Sequence, residues 1–238
     1  MTDLFYLREC SSTQEKIGEF IPVENPASVA VCTFNQTKGK GQYGNSWESG
    51  KNLNIAYSLA VPTSSINLPD HLFNFHTAVL VADFLANLTT QKVQIKWPND
   101  IIIKNKKIAG LLVEKKMLLN EPFFVFGIGL NVLQEDFENL SKAGSLLTQT
   151  GVLHNLEILT QQLHQYLVEN ISKNVNSKKT LKQLNKNLFR KDLVSVFEIN
   201  QIRQNGIIKE VDEAGFLMVD LENDGLKKFF HKEIELLY

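Results

Sequence analysis

Val93-Gln-Ile-Lys-Trp-Pro-Asn-Asp-Ile-Ile-Ile-Lys-Asn-Lys-Lys-Ile-Ala-Gly-Leu-Leu-Val-Glu-Lys115 is the stretch whose reading decides the fold class. Residues 93–97, 101–104 and 108–115 are apolar runs rich in β-branched side chains. Pro98-Asn99-Asp100 and Asn105-Lys106-Lys107 separate them. Proline presets φ, and Asn and Asp bond their own backbone, so both separators read as turns. Strands joined so tightly pair antiparallel, because a parallel crossover needs about a dozen residues or more. Residues 123–132 continue the series as a further strand, interrupted by Gly127 and Gly129.

Working outward, residues 28–34 and 53–59 read as strands on either side of the glycine-rich Gly39-Lys-Gly-Gln-Tyr-Gly44. Ser11-Ser12-Thr13-Gln14-Glu15 reads as a helix N-cap region. Residues 72–88 carry a broad apolar face at helical spacing and predict a buried helix, and two more helices are expected over 156–172 and 179–190. The tail changes character. From Leu193 to Tyr238 five short strands are separated by Gly206, Asp212-Glu-Ala-Gly215 and Asn223-Asp-Gly225. Asp224-Gly225 is a hairpin signal, and five short strands predict a small closed barrel. The expected division is therefore 1–190 and 191–238, in an α+β chain whose central sheet is mostly antiparallel or mixed and flanked by helices.

Composition narrows the function. The chain has 238 residues, 25 Lys+Arg against 26 Asp+Glu, and a formal net charge of −1. A dedicated nucleic-acid binder usually shows a basic domain or stripe, so no nucleic-acid partner is expected. The 43% hydrophobic and 21% charged fractions exclude a fully disordered chain. No apolar run approaches the ~20 residues of a membrane span, so no membrane partner is expected. The first residues lack a signal-peptide core, and a cytoplasmic location is the default. Cys10 and Cys32 have no C-x-x-C spacing and read as buried or neutral thiols. His71, His76, His154, His164 and His231 show no metal-ligand spacing and read as structural or surface residues. The lysine-rich 173–191 reads as a solvated helix face.

Four segments carry chemistry. Gly39–Gly44 matches G-x-G-x-x-G literally, but it leads into Trp47 and a strand instead of a helix, so the dinucleotide fingerprint fails on context. Glycine-exposed amides can still form an anion-binding concavity. Lys96-Trp-Pro-Asn-Asp100, taken alone, reads as a strand ending in a turn. Lys107-Ile-Ala-Gly-Leu-Leu-Val-Glu114 places Gly110 inside a strand, where glycine often marks close approach by a ligand or another backbone. Gly127-Ile-Gly-Leu-Asn131 alternates glycines along a strand and ends in an amide.

In this order and spacing the four segments resemble the biotin–protein ligase family. Its pattern is Ser-Thr-Asn, then Gln-x-x-Gly-Arg-Gly-Arg-x-Gly-x-x-Trp, Lys-Trp-Pro-Asn-Asp, Lys-x-x-Gly-x-Leu-x-Glu and Gly-x-Gly-x-Asn. Here stand Ser12-Thr13-Gln14, Gln36-Thr-Lys-Gly39-Lys-Gly-Gln-Tyr-Gly44-Asn-Ser-Trp47, and the remaining three motifs intact. The departures are Gln14 for asparagine, and Lys40 and Gln42 for the two loop arginines. Lys40 keeps the charge without the bidentate fork, and Gln42 keeps only hydrogen bonding. The resemblance implies a sheet of the class II aminoacyl-tRNA synthetase/biotin ligase type, followed by an SH3-like C-terminal barrel. It implies a two-step ligase, in which biotin and ATP give biotinyl-5′-AMP and an acceptor lysine then displaces AMP.

By the same resemblance Lys107 and Lys40 are the catalytic cations. Biotin is expected against Ser12, Thr13, Gln14, Gln36, Gly39, Lys40, Gly41, Gln42, Lys107 and Gly110. ATP is expected against Trp47, Asn99, Asn131 and Lys107, with Mg²⁺ at Asn99 and Asn131. Trp97 is expected as a plain core aromatic. The acceptor is expected to be a biotin carboxyl carrier domain, and the ligase a monomer or homodimer. A biotin-responsive repressor needs a helix-turn-helix ahead of the ligase motifs; since these begin by Ser12, a ligase without a repressor role is expected. A lipoate ligase or octanoyltransferase shares the architecture, but the two intact lysine motifs favour biotin. A weakly catalytic biotin-binding protein is the alternative that Lys40 and Gln42 suggest.

Overall fold

Alternation of large and small side chains builds the central sheet. A computed structural model describes residues 2–138, 140–173 and 175–238, with Tyr43 described by its backbone alone. Seven strands form the sheet: β1 (Asp3–Leu7), β2 (Val29–Thr33), β5 (Asn54–Pro62), β6 (Val93–Lys96), β7 (Asp100–Ile103), β8 (Lys106–Leu118) and β9 (Glu121–Asn131). Their spatial order is β1-β2-β5-β9-β8-β7-β6. Only β1 and β2 run parallel, and the hairpin series from β6 to β9 is antiparallel throughout. The short β3 (Gly39–Lys40) and β4 (Ser46–Trp47) pair as a separate hairpin.

On β5, Ile55, Tyr57 and Leu59 alternate with Asn54, Ala56 and Ser58. On β9, Phe124, Phe126 and Ile128 alternate with Val125, Gly127 and Gly129. Successive side chains point to opposite faces, so one face of the sheet is bulky and the other nearly bare. The bulky face takes α2 (Asp70–Ala86), which is buried on almost every side because α4 (Leu156–Asn170) and α5 (Ser177–Lys186), which follow the short α3 (Leu146–Thr150), cover its back. On α5, Thr180, Leu181 and Leu184 are buried while Lys178, Lys179, Lys182 and Lys186 face solvent. The bare face takes α1 (Thr13–Lys16) and the 3₁₀ turn Ile17–Phe20, whose Ile17 packs with Val29, Val31, Ala60 and Val125.

The tail forms five strands, as expected in number, β10 (Val194–Ile199), β11 (Ile202–Val211), β12 (Leu217–Leu221), β13 (Gly225–Phe229) and β14 (Glu235–Leu237), but Gly206, expected to separate two of them, is paired on both sides inside β11. They make an antiparallel sheet in the order β13-β12-β11-β10-β14. The predicted closure is not carried by hydrogen bonds, since among the described residues no ladder joins β13 to the three-residue β14. Side chains tie this sheet to helix α5 and to the end of β6. Asn185 bonds both the N–H and the C=O of Val211 at 2.7 and 2.9 Å. Trp97 donates its indole N–H to Gly215 O at 3.2 Å. Trp97 is thus a half-buried strut between the two sheets as well as a packing aromatic. Trp97→Phe keeps the ring but leaves Gly215 O without its donor, so urea unfolding should show a loss of about 1–2 kcal/mol. A variant matching the wild type would assign Trp97 to packing alone.

Candidate functional site

A β-bulge aims the lysine of the third motif. Asp100 opposes Gly110 and Ile102 opposes Lys107, with the register shifting between Ile101 and Ile102. Lys107 and Gly110 are three residues apart and would face opposite ways in a regular strand. The inserted residue brings both to the bare face, the kind of re-aiming that bulges provide. Lys107 Nζ therefore meets Asp100 Oδ1 at 2.7 Å on that face. Its backbone is fixed by the segment after β9, through Lys107 N to Lys142 O at 2.7 Å and Gly144 N to Lys107 O at 3.0 Å.

Two cross-strand glycines, Gly110 and Gly129, make a flat patch beside it. The Trp47 indole lies on this patch. A Cβ on Gly129 would stand 2.2 Å from Trp47 Cε2, and one on Gly110 would stand 2.9 Å from its Cζ3 and 3.3 Å from Lys107 Nζ. Lys107 Nζ is 5.4 Å from the centre of the Trp47 ring system. The indole N–H is buried without an acceptor among the described residues. The Gly39–Gly44 loop arches over the same region as the β3–β4 hairpin and a 3₁₀ turn at Gln42–Gly44. Lys40 is held by the carboxylate of Glu15, whose hydrogen bond and charge raise the Lys40 ammonium and whose own carboxyl Lys40 lowers.

The floor beyond these glycines is polar. Thr13 N donates to Gln36 Oε1 at 2.9 Å, and Thr13 Oγ1 lies 2.8 Å from Ser58 Oγ. Gln14 is buried, and its amide crosses to β8 and β9, donating to Glu114 Oε2 and Val125 O at 2.9 Å each. A Cβ on Gly127 would stand 2.7 Å from Gln14 Oε1, so the longer amide occupies the room that this glycine leaves.

Of the predicted residues, Ser12, Thr13, Gln14, Gln36, Lys40, Gly41, Gln42, Trp47, Asn99, Lys107 and Gly110 line one cavity of about 140 Å³. Gly39, in the β3–β4 hairpin, is not part of that lining. Asn131 lies apart, in an adjoining cavity of about 810 Å³ that also meets Lys96, Lys142 and Tyr238. Trp47, Asp100 and Lys107 line both. Burial pushes the Lys96 ammonium below the usual lysine range, with Lys107 and Lys142 adding to the effect and Asp100 opposing it. Burial raises the Tyr238 phenol to about 12, and the Asp100 charge adds to this. The ammonium groups of Lys142 and Lys96 lie 4.7 and 5.4 Å from the Tyr238 ring centre.

Asn99 and Asn131, expected to share a metal, line different cavities. The Asn99 amide N–H bonds Leu111 O, and that of Asn131 bonds Gly144 O at 2.9 Å. Asn131 Oδ1 is buried and unpartnered among the described residues, whereas Asn99 ties the β6–β7 turn to β8. The sequence reading missed Ser58, Lys96, Lys142 and Tyr238. Ser58 had a legible signal, because Asn54, Ala56 and Ser58 alternate with three large apolar residues. Lys96 stands in the second motif without a role having been drawn from it, whereas Lys142 and Tyr238 reach the site only through tertiary packing.

Residues 6–132 match the model of the biotin/lipoate A/B protein ligase family. Among curated relatives, the bifunctional ligase/repressor BirA of Bacillus subtilis is 26% identical over 257 residues, spanning 98% of this chain and 74% of that protein. The biotin–[acetyl-CoA-carboxylase] ligase of Mycobacterium tuberculosis is 31% identical over 125 residues, 50% of this chain and 45% of that one. Among solved structures, a biotin protein ligase from Aquifex aeolicus in complex with biotin and ATP has a TM-score of 0.81 at 22% identity, covering 100% of this chain and 99% of that one. At that identity the likeness is one of fold.

Proposed function

The chain belongs to the biotin/lipoate A/B protein ligase family, and from that premise we propose that it joins biotin to a lysine of a biotin carboxyl carrier domain in two steps. In the first, a biotin carboxylate oxygen attacks the α-phosphorus of ATP and pyrophosphate leaves. In the second, a neutral acceptor amine attacks the acyl carbon, AMP leaves with the bonding pair, and the amine gives up a proton. The observation that carries this reading is the place of Lys107, which lines both the small polar cavity and the larger one beside it. Biotin would fill the first and ATP the second, leaving the two anions to meet at this ammonium. A fixed cation there stabilises charge as it builds in the transition state.

Lys96 and Lys142 would face the phosphates from the far side of the larger cavity. Mg²⁺ would arrive with ATP as part of the substrate and supply further positive charge; Asn131 Oδ1 is the better placed of the two amide oxygens to meet it. No nucleophile of the protein is needed, since the biotin carboxylate attacks directly. Residues 1–190 would carry the ligase chemistry, and 191–238 would form the appended β unit. Ser12, Thr13, Gln36 and Ser58 make the small cavity polar, which suits a ureido ring better than the apolar dithiolane of lipoate. The deciding experiment mixes the protein with ATP, Mg²⁺, a carrier domain and either labelled biotin or labelled lipoate. Label from biotin on the carrier is expected, and label from lipoate alone would overturn the reading.

The Lys40–Glu15 pair adds a prediction about the intermediate. To reach the adenylate phosphate Lys40 must leave Glu15 and exchange its carboxylate for a charge-assisted hydrogen bond to phosphate. Lys40→Met should therefore release biotinyl-AMP on the order of 10–100 times faster in a filter-retention assay. Unchanged release would remove Lys40 from the phosphate.

A further inference from the structure

We infer that Gln14 and Ser58 are positioning residues that fix the direction of the hydrogen bonds around Thr13, and so tune the small cavity to a ring presenting two N–H donors. This rests on the biotin reading above. One chain of contacts allows a single allocation of protons. The Gln14 NH₂ group faces Glu114 Oε2 at 2.9 Å, Val125 O at 2.9 Å and Leu112 O at 3.5 Å. A carboxylate and two backbone carbonyls only accept, so the amide has one allowed orientation. Lys116 secures the arrangement, with Nζ 3.0 Å from Glu114 Oε2 and 2.9 Å from Gln14 O.

Gln14 Oε1 consequently faces Ser58 and takes the Ser58 hydroxyl proton at 3.2 Å. Ser58 has no second proton to give. In the 2.8 Å contact between Ser58 and Thr13 the donor must then be Thr13. Gln36 Oε1, at a longer 3.3 Å from Thr13 Oγ1, is already served by the Thr13 backbone N–H at 2.9 Å. With both hydroxyl protons committed, Thr13 and Ser58 offer the cavity lone pairs only. The Gln36 carbonyl is engaged, which leaves its NH₂ to donate. Thr13, Ser58 and Gln36 thus give two fixed acceptors and one donor and, with the Ser12 hydroxyl that can turn to donate, complement a cyclic urea, which has two N–H groups and one C=O with two lone pairs.

Fixed lone pairs repel a ring oxygen, whereas a hydroxyl able to rotate would turn its proton toward it. The probes are therefore biotin and the two cyclic carbamate analogues in which one ring N–H is replaced by oxygen, with pyrophosphate release as the readout. The wild type should favour biotin over at least one analogue by ~100-fold in kcat/KM. Gln14→Leu releases the Ser58 proton and Ser58→Ala releases the Thr13 proton. Each should reduce that preference to about fivefold or less, through a higher KM for biotin, with the KM for ATP within about twofold of wild type. Ser58→Ala removes a single buried oxygen and keeps the test available if Gln14→Leu does not fold. A preference that survives in the folded variants would overturn the inference while leaving the biotin reading intact. A wild type that activates lipoate and not biotin would instead sink the reading on which it rests.

Discussion

Lys107→Met is expected to slow adenylate formation by about a thousandfold, with much smaller changes in KM for biotin and ATP. The size follows from its place. Among the described residues it is the one lysine lining both cavities, and its ammonium is held on the bare face of the sheet by a bulge and by Asp100 at 2.7 Å. Losing one preorganised group aimed at developing charge typically costs ~2.7–4 kcal/mol in the barrier. Methionine retains the stem beside Trp47, so the loss reports the charge. Lys107→Arg is not expected to restore the rate, because the end of this side chain already fills the space that a Gly110 Cβ would need, at 3.2–3.3 Å, and a guanidinium is larger and differently shaped. Single-turnover pyrophosphate release measures the step directly. A drop of less than about tenfold would move the burden to Lys40 or to the lysines of the larger cavity.

Phe73→Ala is expected to have the largest effect on stability, about 3–5 kcal/mol. Phe73 is completely buried where α2 meets the bulky face of the sheet. It stacks on Phe124 with centroids 4.4 Å apart and meets Phe126 edge-on at 6.3 Å. Alanine would leave a cavity between a helix and a sheet that are each fixed by other contacts, so little collapse can fill it. A typical domain is stable by ~5–15 kcal/mol, so the variant should unfold at much lower urea and approach the threshold of folding. Because α2 lies on the face away from the cavities, variant protein that remains folded should activate biotin at close to the wild-type rate. A urea midpoint near that of the wild type would show that the aromatic cluster can repack.

Much of this arrangement was legible beforehand. The run from Val93 to Lys115 predicted antiparallel hairpins because its turns are too short for anything else, and β6 to β8 follow it closely. Helix α2 was legible because its apolar positions recur around the helix. The strand β1 was not, since its pattern is broken by exposed residues and its pairing with β2 is decided by a distant partner. A helix start was legible over Ser11–Glu15 and the helix does begin after Ser12, but Ser12 makes no side-chain cap bond and α1 continues for a single turn before tightening into the 3₁₀ turn. Most of the proposed site was readable as motifs in order. The separation of Asn99 from Asn131 was not, because each belongs to a motif while the cavity it lines depends on how β8 and the segment after β9 fold over the sheet.

The sequence by itself determined the family, the antiparallel hairpin core and the residue types available to the site, since these follow from local spacing and turn chemistry. Tertiary structure alone decided how those residues act together. A single inserted residue turned Lys107 to the face of Gly110, cross-strand register set Gly110 beside Gly129 as a seat for Trp47, and packing carried the Gln14 amide to Glu114 across a hundred positions of chain. Direction, register and proton allocation arise only when distant backbones are brought together. That is why Gln14, which reads along the chain as a one-methylene departure from asparagine, becomes in the folded protein the residue that orients the rest of the polar floor.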